Sequence, residues 1–345
     1  MKAICLTEKG DLASGKWGKL DCVELPTPQI QKDDDILIKI AYSSICGSDP
    51  LMLNGNMDVA VGAGFGHEMS GVIVDMGKGC NKRGLKVGDK VTGCFVHFCG
   101  ICENCRAGRE QFCTVSKQNI VPTQVEYVVW SEDQVYKLPD DADLKTAALI
   151  EPLTISMRAV EKADIHLGDR VAVSGGGGIG MMVLQLCKMA GASQVTLIEP
   201  VAGKRELGLS LGADYAVDPM DADFMKNIAE INPGGCDVVI ECSGSGKAAE
   251  AALDIVRNSG HLVFLAMYPI RYRLPLDLST YIYHKELRVD GLFLATYYFM
   301  PAIRMFKRMN LDPIIQKVYK LTECQQAYED QLSGQYAKIV FDCSE

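Results

Sequence analysis

The stretch RVAVSGGGGIGMMVLQLCKMAGA, residues 170–192, sets the tightest limit on how this chain can fold. A short β-branched run feeds four glycines, and an apolar, helix-forming run follows at once. Gly175, Gly177 and Gly180 fit G-x-G-x-x-G, a weak pattern alone that gains force from the strand before it and the helix after it. Glycines at such a turn let a pyrophosphate approach the helix N-terminus. Gly178 and Ile179 share the turn, and Ser243 closes a later strand, DVVIECSG, so these are candidate dinucleotide contacts. Glu199 ends the next strand, 19 positions beyond Gly180. A carboxylate there suits a ribose 2′-hydroxyl and repels a 2′-phosphate, which favours NAD(H) over its phosphorylated form. Lys204 and Arg205 follow, either as cations that pull the other way or as a solvated helix face.

From Asp169 onward strands and helices alternate, which calls for a parallel sheet with helices on both faces. Before that, DILIKIAYSSI, SGVIVDM, DKVTGCFV and VEYVVW read as strands of a β domain with Gly-rich turns. LKTAALIEPLTISMRAVEKADI, 144–165, reads as a helix, and AAEAALDIVRNSG as another. The closing strand AKIVFDC has no helix after it and is expected to return to the first domain. The expected division is therefore 1–153 with 295–345 as one domain and 154–294 as the other, in a chain of 345 residues. A formal net charge of −9 argues against nucleic acid or an anionic membrane as a primary partner. The N-terminus lacks an apolar leader and the longest apolar runs are strand-sized, so a cytoplasmic protein without membrane contact is expected.

Fourteen cysteines are many for such a setting. Four of them, Cys99, Cys102, Cys105 and Cys113, follow C-x2-C-x2-C-x7-C. Four thiolates at that spacing make a closed tetrahedral site suited to Zn2+, one that staples a loop (about 94–115) and has no open position for a substrate. The others read as reduced core thiols. A reacting metal would need further donors. Cys46 in ICGSD, His67 and Glu68 in GFGHEMSG, and Glu151 in LIEPL are the candidates; together Cys, His and carboxylate leave one position open. His97, His166, His261 and His284 have no comparable context.

These segments in this order resemble the zinc-dependent medium-chain alcohol dehydrogenases, and within them the sorbitol, butanediol and threonine dehydrogenase branch. CGSD (46–49), GHE (66–68), the four-cysteine lobe, LIEP (149–152), GGGGIG (175–180) and KELRVDG (285–291) carry the resemblance across the chain. It implies a GroES-like β-barrel catalytic domain, a doubly wound Rossmann domain, and a site in the cleft between them. It implies two zinc ions per subunit, the catalytic one held by Cys46, His67 and either Glu151 or Glu68. Ser48 matches the hydroxyl that begins the proton relay. A homodimer or homotetramer acting on a small molecule is expected.

Three departures from that pattern bear on the substrate. Leu51, after Pro50, stands where many relatives place a histidine. Leu294 and Ala295 stand where polyol enzymes place an Arg-Tyr pair. The segment between Cys113 and Val125 is short, which suggests a wider pocket mouth. Leu51, Met52, Leu53, Met57 and Val59 would give the pocket an apolar wall or simply pack locally. The resulting expectation is a secondary alcohol on a bulky apolar frame, hydroxysteroid-like or cyclic, with a polyol, sugar or amino alcohol as the alternative. The rival classes are a zinc-free quinone or enone reductase and a non-enzymatic nucleotide-binding protein.

Overall fold

The computed structural model describes residues 1–115 and 121–344. Residues 116–120, the middle of the short segment before Val125, lie outside the described residues. The chain forms two units. One comprises Met1–Thr154, Ala295–Ser333 and Lys338–Glu345, the other Ile155–Leu294 with Gly334–Ala337.

The first unit is organised by one long strand, Asp35–Ser44. Ile36, Ile38 and Ile40 are fully buried while Lys39 is exposed, the period-two pattern of a strand with one face on a core. Its two edges carry three partners, all antiparallel. Glu68–Met76 runs along one edge, while Tyr127–Ser131 and Lys338–Asp342 share the other. The register places Ser44 opposite Glu68 on one side and opposite Val340 on the other. The end of the long strand, the start of the next and the last strand of the chain therefore meet at one point.

The second unit contains a six-stranded parallel sheet. Its order is Tyr215–Val217, Gln194–Ile198, Arg170–Ser174, Cys236–Glu241, Val256–Phe264, Arg288–Gly291. Val171, Ala172 and Val173 are all fully buried, as a strand covered on both faces requires. The chain builds outward from Arg170–Ser174 on one side, then returns to add Cys236–Glu241 on the other. The order reverses between those two strands, and ligands of such sheets bind beyond the carboxyl ends at the reversal.

Two helices differ from the pattern reading. The run 144–165 is two helices, Leu144–Ala147 and Ile150–Ala163. Pro152 explains the break: it has no N–H to give to the carbonyl four residues earlier, so it is tolerated only in the first turn of a new helix. The later helix, Gly246–Ile255, stops short, and Val256 already belongs to the next strand. There Arg257 Nε donates to Asp237 Oδ1 at 2.6 Å, and the ladder slips before His261 pairs with Val238.

Candidate metal and cofactor sites

Strand register brings the first set of donors together. Cys46 lies just past Ser44, His67 just before Glu68, and Ser44 pairs with Glu68. One donor atom each from Cys46, His67 and Glu68 falls within 4.8 Å of the others. The turn after Cys46 then supports the imidazole. Asp49, 2% exposed, accepts from the Cys46 amide at 3.0 Å and sets its other oxygen 3.7 Å from His67 Nδ1. A carboxylate behind a ligating histidine orients the ring and raises its basicity. Ser48 precedes the short helix Asp49–Leu53, and its hydroxyl makes no capping bond there.

Glu68 is almost wholly buried and would be costly as an isolated charge. Lys338, on the last strand, answers it at 2.5 Å and also donates to the Ile45 carbonyl at 2.8 Å. The Ser44 hydroxyl donates to the same carboxylate. Glu151, in the first turn of Ile150–Ala163, is also buried but is not among the three clustered donors. It is tied to them by charge. Burial, with Glu68 nearby, pushes its carboxyl up to about 7. Burial likewise lifts Asp49 to about 6. Burial opposes a charged His67, yet the Cys46 sulfur, Asp49 and Glu151 outweigh it and raise that pKa well above its usual value. The site thus collects more potential anions than Lys338 can balance and holds protons in compensation. A divalent ion replaces such protons, so the donor set fits zinc.

The second donor set is the cysteine lobe. Cys99, Cys102, Cys105 and Cys113 place their sulfurs within 4.8 Å of one another. The sulfur separations are 3.9 Å for Cys99–Cys105, 3.9 Å for Cys102–Cys113 and 3.5 Å for Cys99–Cys113. A zinc–sulfur bond of about 2.3 Å in a tetrahedron demands an edge of about 3.8 Å. The Cys102 amide also donates to Cys99 Sγ at 3.3 Å. Backbone donors from Cys105 and Thr114 lower the Cys102 thiol to about 6, toward the thiolate a metal needs.

In the second unit, Gly175 takes φ +98, open to glycine alone, and an added Cβ would meet Ser243 at 2.8 Å. A Cβ on Gly180 would fall 1.8 Å from the Gly175 carbonyl oxygen, so the helix packs directly on the glycine turn. A Cβ on Gly177 meets nothing within 4 Å, which leaves free space before the N-terminus of helix Gly178–Ala190. Ile179 lies in that first turn. Glu199 is 3% exposed and already engaged: Oε2 accepts from Gly176 N at 2.7 Å, Oε1 from Val201 N at 2.9 Å, and Lys204 Nζ lies 3.2 Å away. Lys204 is itself buried, so it belongs to this cluster and not to a solvated face.

Residues 178–308 match the model of the zinc-binding dehydrogenase family, and residues 32–140 that of the alcohol dehydrogenase GroES-like domain. L-threonine 3-dehydrogenase from Pyrococcus abyssi (strain GE5 / Orsay) is 32% identical over 332 residues, covering 92% of this chain and 93% of its own. Sorbitol dehydrogenase from Halalkalibacterium halodurans is 30% identical over 349 residues, covering 99% and 98%. A crystal structure described as a zinc-binding dehydrogenase, from Clostridium scindens ATCC 35704, superposes with a TM-score of 0.94 at 38% identity over 100% of both chains. The chain belongs to the zinc-binding medium-chain dehydrogenases. The GroES-like domain and the parallel six-stranded Rossmann sheet are those of that family.

In this dehydrogenase the expected pocket residues are spread over two segments. Leu51 and Met52 are half-buried on helix Asp49–Leu53, Leu53 is buried, and Met57 is 39% exposed in the loop beyond. Leu294 is half-buried with φ +56, a left-handed backbone unusual for leucine. Arg158 holds that conformation by donating to the Phe293 carbonyl at 2.7 Å and to that of Leu294. Sequence reasoning missed Lys338, Ser44, Asp49 and Arg158. Asp49 could have been found in CGSD as a carboxylate three residues past a ligand, but the others act across long stretches of chain.

Two variants probe these sites in the dehydrogenase. Lys338→Met strands a buried carboxylate and is expected to lower unfolding stability by about 3–5 kcal/mol, with Glu68→Gln recovering most of the loss in the double variant. Denaturant titration of the set checks it, and equal losses in the single and double variants would contradict the pairing. Cys102→Ser should remove one zinc per subunit by metal analysis and lower the thermal midpoint, since a closed site contributes folding free energy directly.

Proposed function

We propose that this dehydrogenase interconverts a secondary alcohol and a ketone, with NAD(H) at the glycine turn and a catalytic zinc at Cys46, His67 and Glu68. The observation that carries this reading is the clustering of those three donors within 4.8 Å, a mixed set that leaves a position for substrate. When bound, the two groups supply Lewis acidity toward the alcohol oxygen and a hydride acceptor. The chain's own part is positional and protonic. Asp49 orients His67, Lys338 and Ser44 hold Glu68 in place, and Glu151 lies close enough for its charge to follow theirs. Ser48, with a hydroxyl not used to cap its helix, takes the proton released by the alcohol and passes it to solvent.

For the substrate we favour a small polyol or amino alcohol over the bulky apolar frame inferred from Leu51 and Leu294. Relatives covering nearly the whole chain act, by name, on threonine and sorbitol. The case for an apolar wall also rested on a missing arginine at 294. Arg158 brings a guanidinium to the same segment from helix Ile150–Ala163, so the stretch is not purely hydrocarbon. A homodimer or homotetramer is part of the proposal and is read from the native mass.

The deciding experiment is NAD+ reduction followed with threonine, sorbitol, butanediol and a hydroxysteroid. Turnover with one of the first three and none with the steroid is expected; the reverse would restore the apolar reading. Cys46→Ser should abolish turnover and remove one of two zinc ions, whereas a wild-type protein with at most one zinc would favour a zinc-free reductase. Glu199→Ala should weaken NAD+ roughly ten- to hundredfold, the loss of a charge-assisted bond. A wild-type preference for NADP+ would instead assign Lys204 to a 2′-phosphate.

A further inference from the structure

Beyond the strand end that faces the glycine turn lies a buried carboxylate that the proposed alcohol chemistry does not use. Glu241 is the last residue of Cys236–Glu241 and is fully buried. It pairs with Ser174 on one side and Phe264 on the other, so it sits where the strand order reverses. Its side chain gathers donors from two loops. Oε1 accepts from the Ser243 amide at 2.8 Å and from the Ser243 hydroxyl; Oε2 accepts from the Gly244 amide at 3.3 Å and from the Tyr268 hydroxyl. Its backbone carbonyl accepts from Leu265 N at 3.0 Å.

The donors lead outward to the cofactor side. Ser243 is exposed, and its backbone and Cβ stand against Gly175. Gly244 is packed so closely that an added Cβ would lie 2.6 Å from the Met267 carbonyl. Tyr268 is fixed by its ring as well, 5.7 Å from that of Tyr272 and 6.1 Å from that of Phe264. Burial and the adjacent Glu241 charge keep its phenol protonated, so it stays a donor.

We propose that Glu241 is a positioning residue for the dinucleotide, locking Ser243 and the Met267–Tyr268 loop beside the glycine turn. This rests on the reading of that turn as a dinucleotide site. It also assigns Ser243 a chemical role. A hydroxyl has one proton to give, and Ser243 gives it to Glu241 while accepting from the Ser245 amide at 3.1 Å. What remains is an acceptor lone pair. Phosphate oxygens only accept, so Ser243 serves a donor on the cofactor, a ribose hydroxyl or the carboxamide NH2, and not the pyrophosphate.

The test is NADH binding followed by fluorescence on full-length wild type, Tyr268→Phe, Ser243→Ala and Glu241→Gln, with steady-state kinetics alongside. Tyr268→Phe removes one donor and should raise the NADH Kd about two- to tenfold. Glu241→Gln replaces an acceptor-only group by one that offers N–H to N–H, and should raise it roughly ten- to hundredfold. In both, KM for NAD+ should rise more than kcat falls. A purely structural role would lower the thermal midpoint and leave the NADH Kd at the wild-type value, and that result in folded Tyr268→Phe and Glu241→Gln overturns the proposal. Should Glu241→Gln not fold, Tyr268→Phe and Ser243→Ala decide by the same criterion. A wild type that binds neither NADH nor NADPH overturns the dinucleotide reading itself.

Discussion

The buried ion pair between Glu68 and Lys338 is the constraint on which the first unit's chemistry depends. Glu68 opens one strand of that unit and Lys338 opens the last strand of the chain. Neither charge can be left alone in the interior, so the C-terminal strand must be seated before the site can exist as a charged cluster. The same lysine donates to the Ile45 carbonyl, one residue before the candidate ligand Cys46. One side chain thereby sets the position of a carboxylate and of the backbone that presents a thiolate. Docking of the last strand and assembly of the candidate metal site are therefore linked through Lys338.

What was legible in the chain was whatever short spacing controls. The cysteine lobe is a local pattern, and its sulfurs are where the spacing requires them. The glycine turn could be read because the strand before it and the helix after it are contiguous with it. CGSD and GHE were separable as donors, but nothing local says that a lysine near the C-terminus neutralises the glutamate of GHE. That contact comes from register, through Ser44 opposite both Glu68 and Val340. The region 144–165 reads as one helix for an opposite reason: its apolar period is continuous, while a single proline in it changes which amides are free to bond. The apolar-pocket expectation left out a long-range contact too. Lacking an arginine at position 294 reads as a loss of polarity, yet Arg158 donates to the carbonyls of Phe293 and Leu294.

The two donor sets divide the work by their coordination. Four sulfurs in a loop with little secondary structure of its own make a closed cage, and what they hold in place is the loop. The mixed set grows from strand ends already fixed by the sheet, so its geometry is largely present before a metal arrives. Cys46, Asp49, Glu68 and Glu151 gather there around the cation of Lys338, and burial pushes the carboxyls of Asp49 and Glu151 upward.

One device recurs across both units. Glu68 opens a strand in the first unit, while Glu199 and Glu241 stand at the carboxyl ends of parallel strands in the second, and all three are buried. In the Rossmann sheet the reason is geometric. A strand that turns abruptly into a loop points several amides inward with no ladder to receive them, and such amides need an acceptor. Glu199 receives those of Gly176 and Val201; Glu241 receives those of Ser243 and Gly244. A carboxylate meets that demand better than a hydroxyl because it accepts at two oxygens and donates at none. The turns of the proposed dinucleotide site are therefore held from beneath by negative charge. Charge buried at strand ends ties these turns down through their own amides, and under the proposed dinucleotide reading Gly177 and Ser243 are the small residues that such turns present.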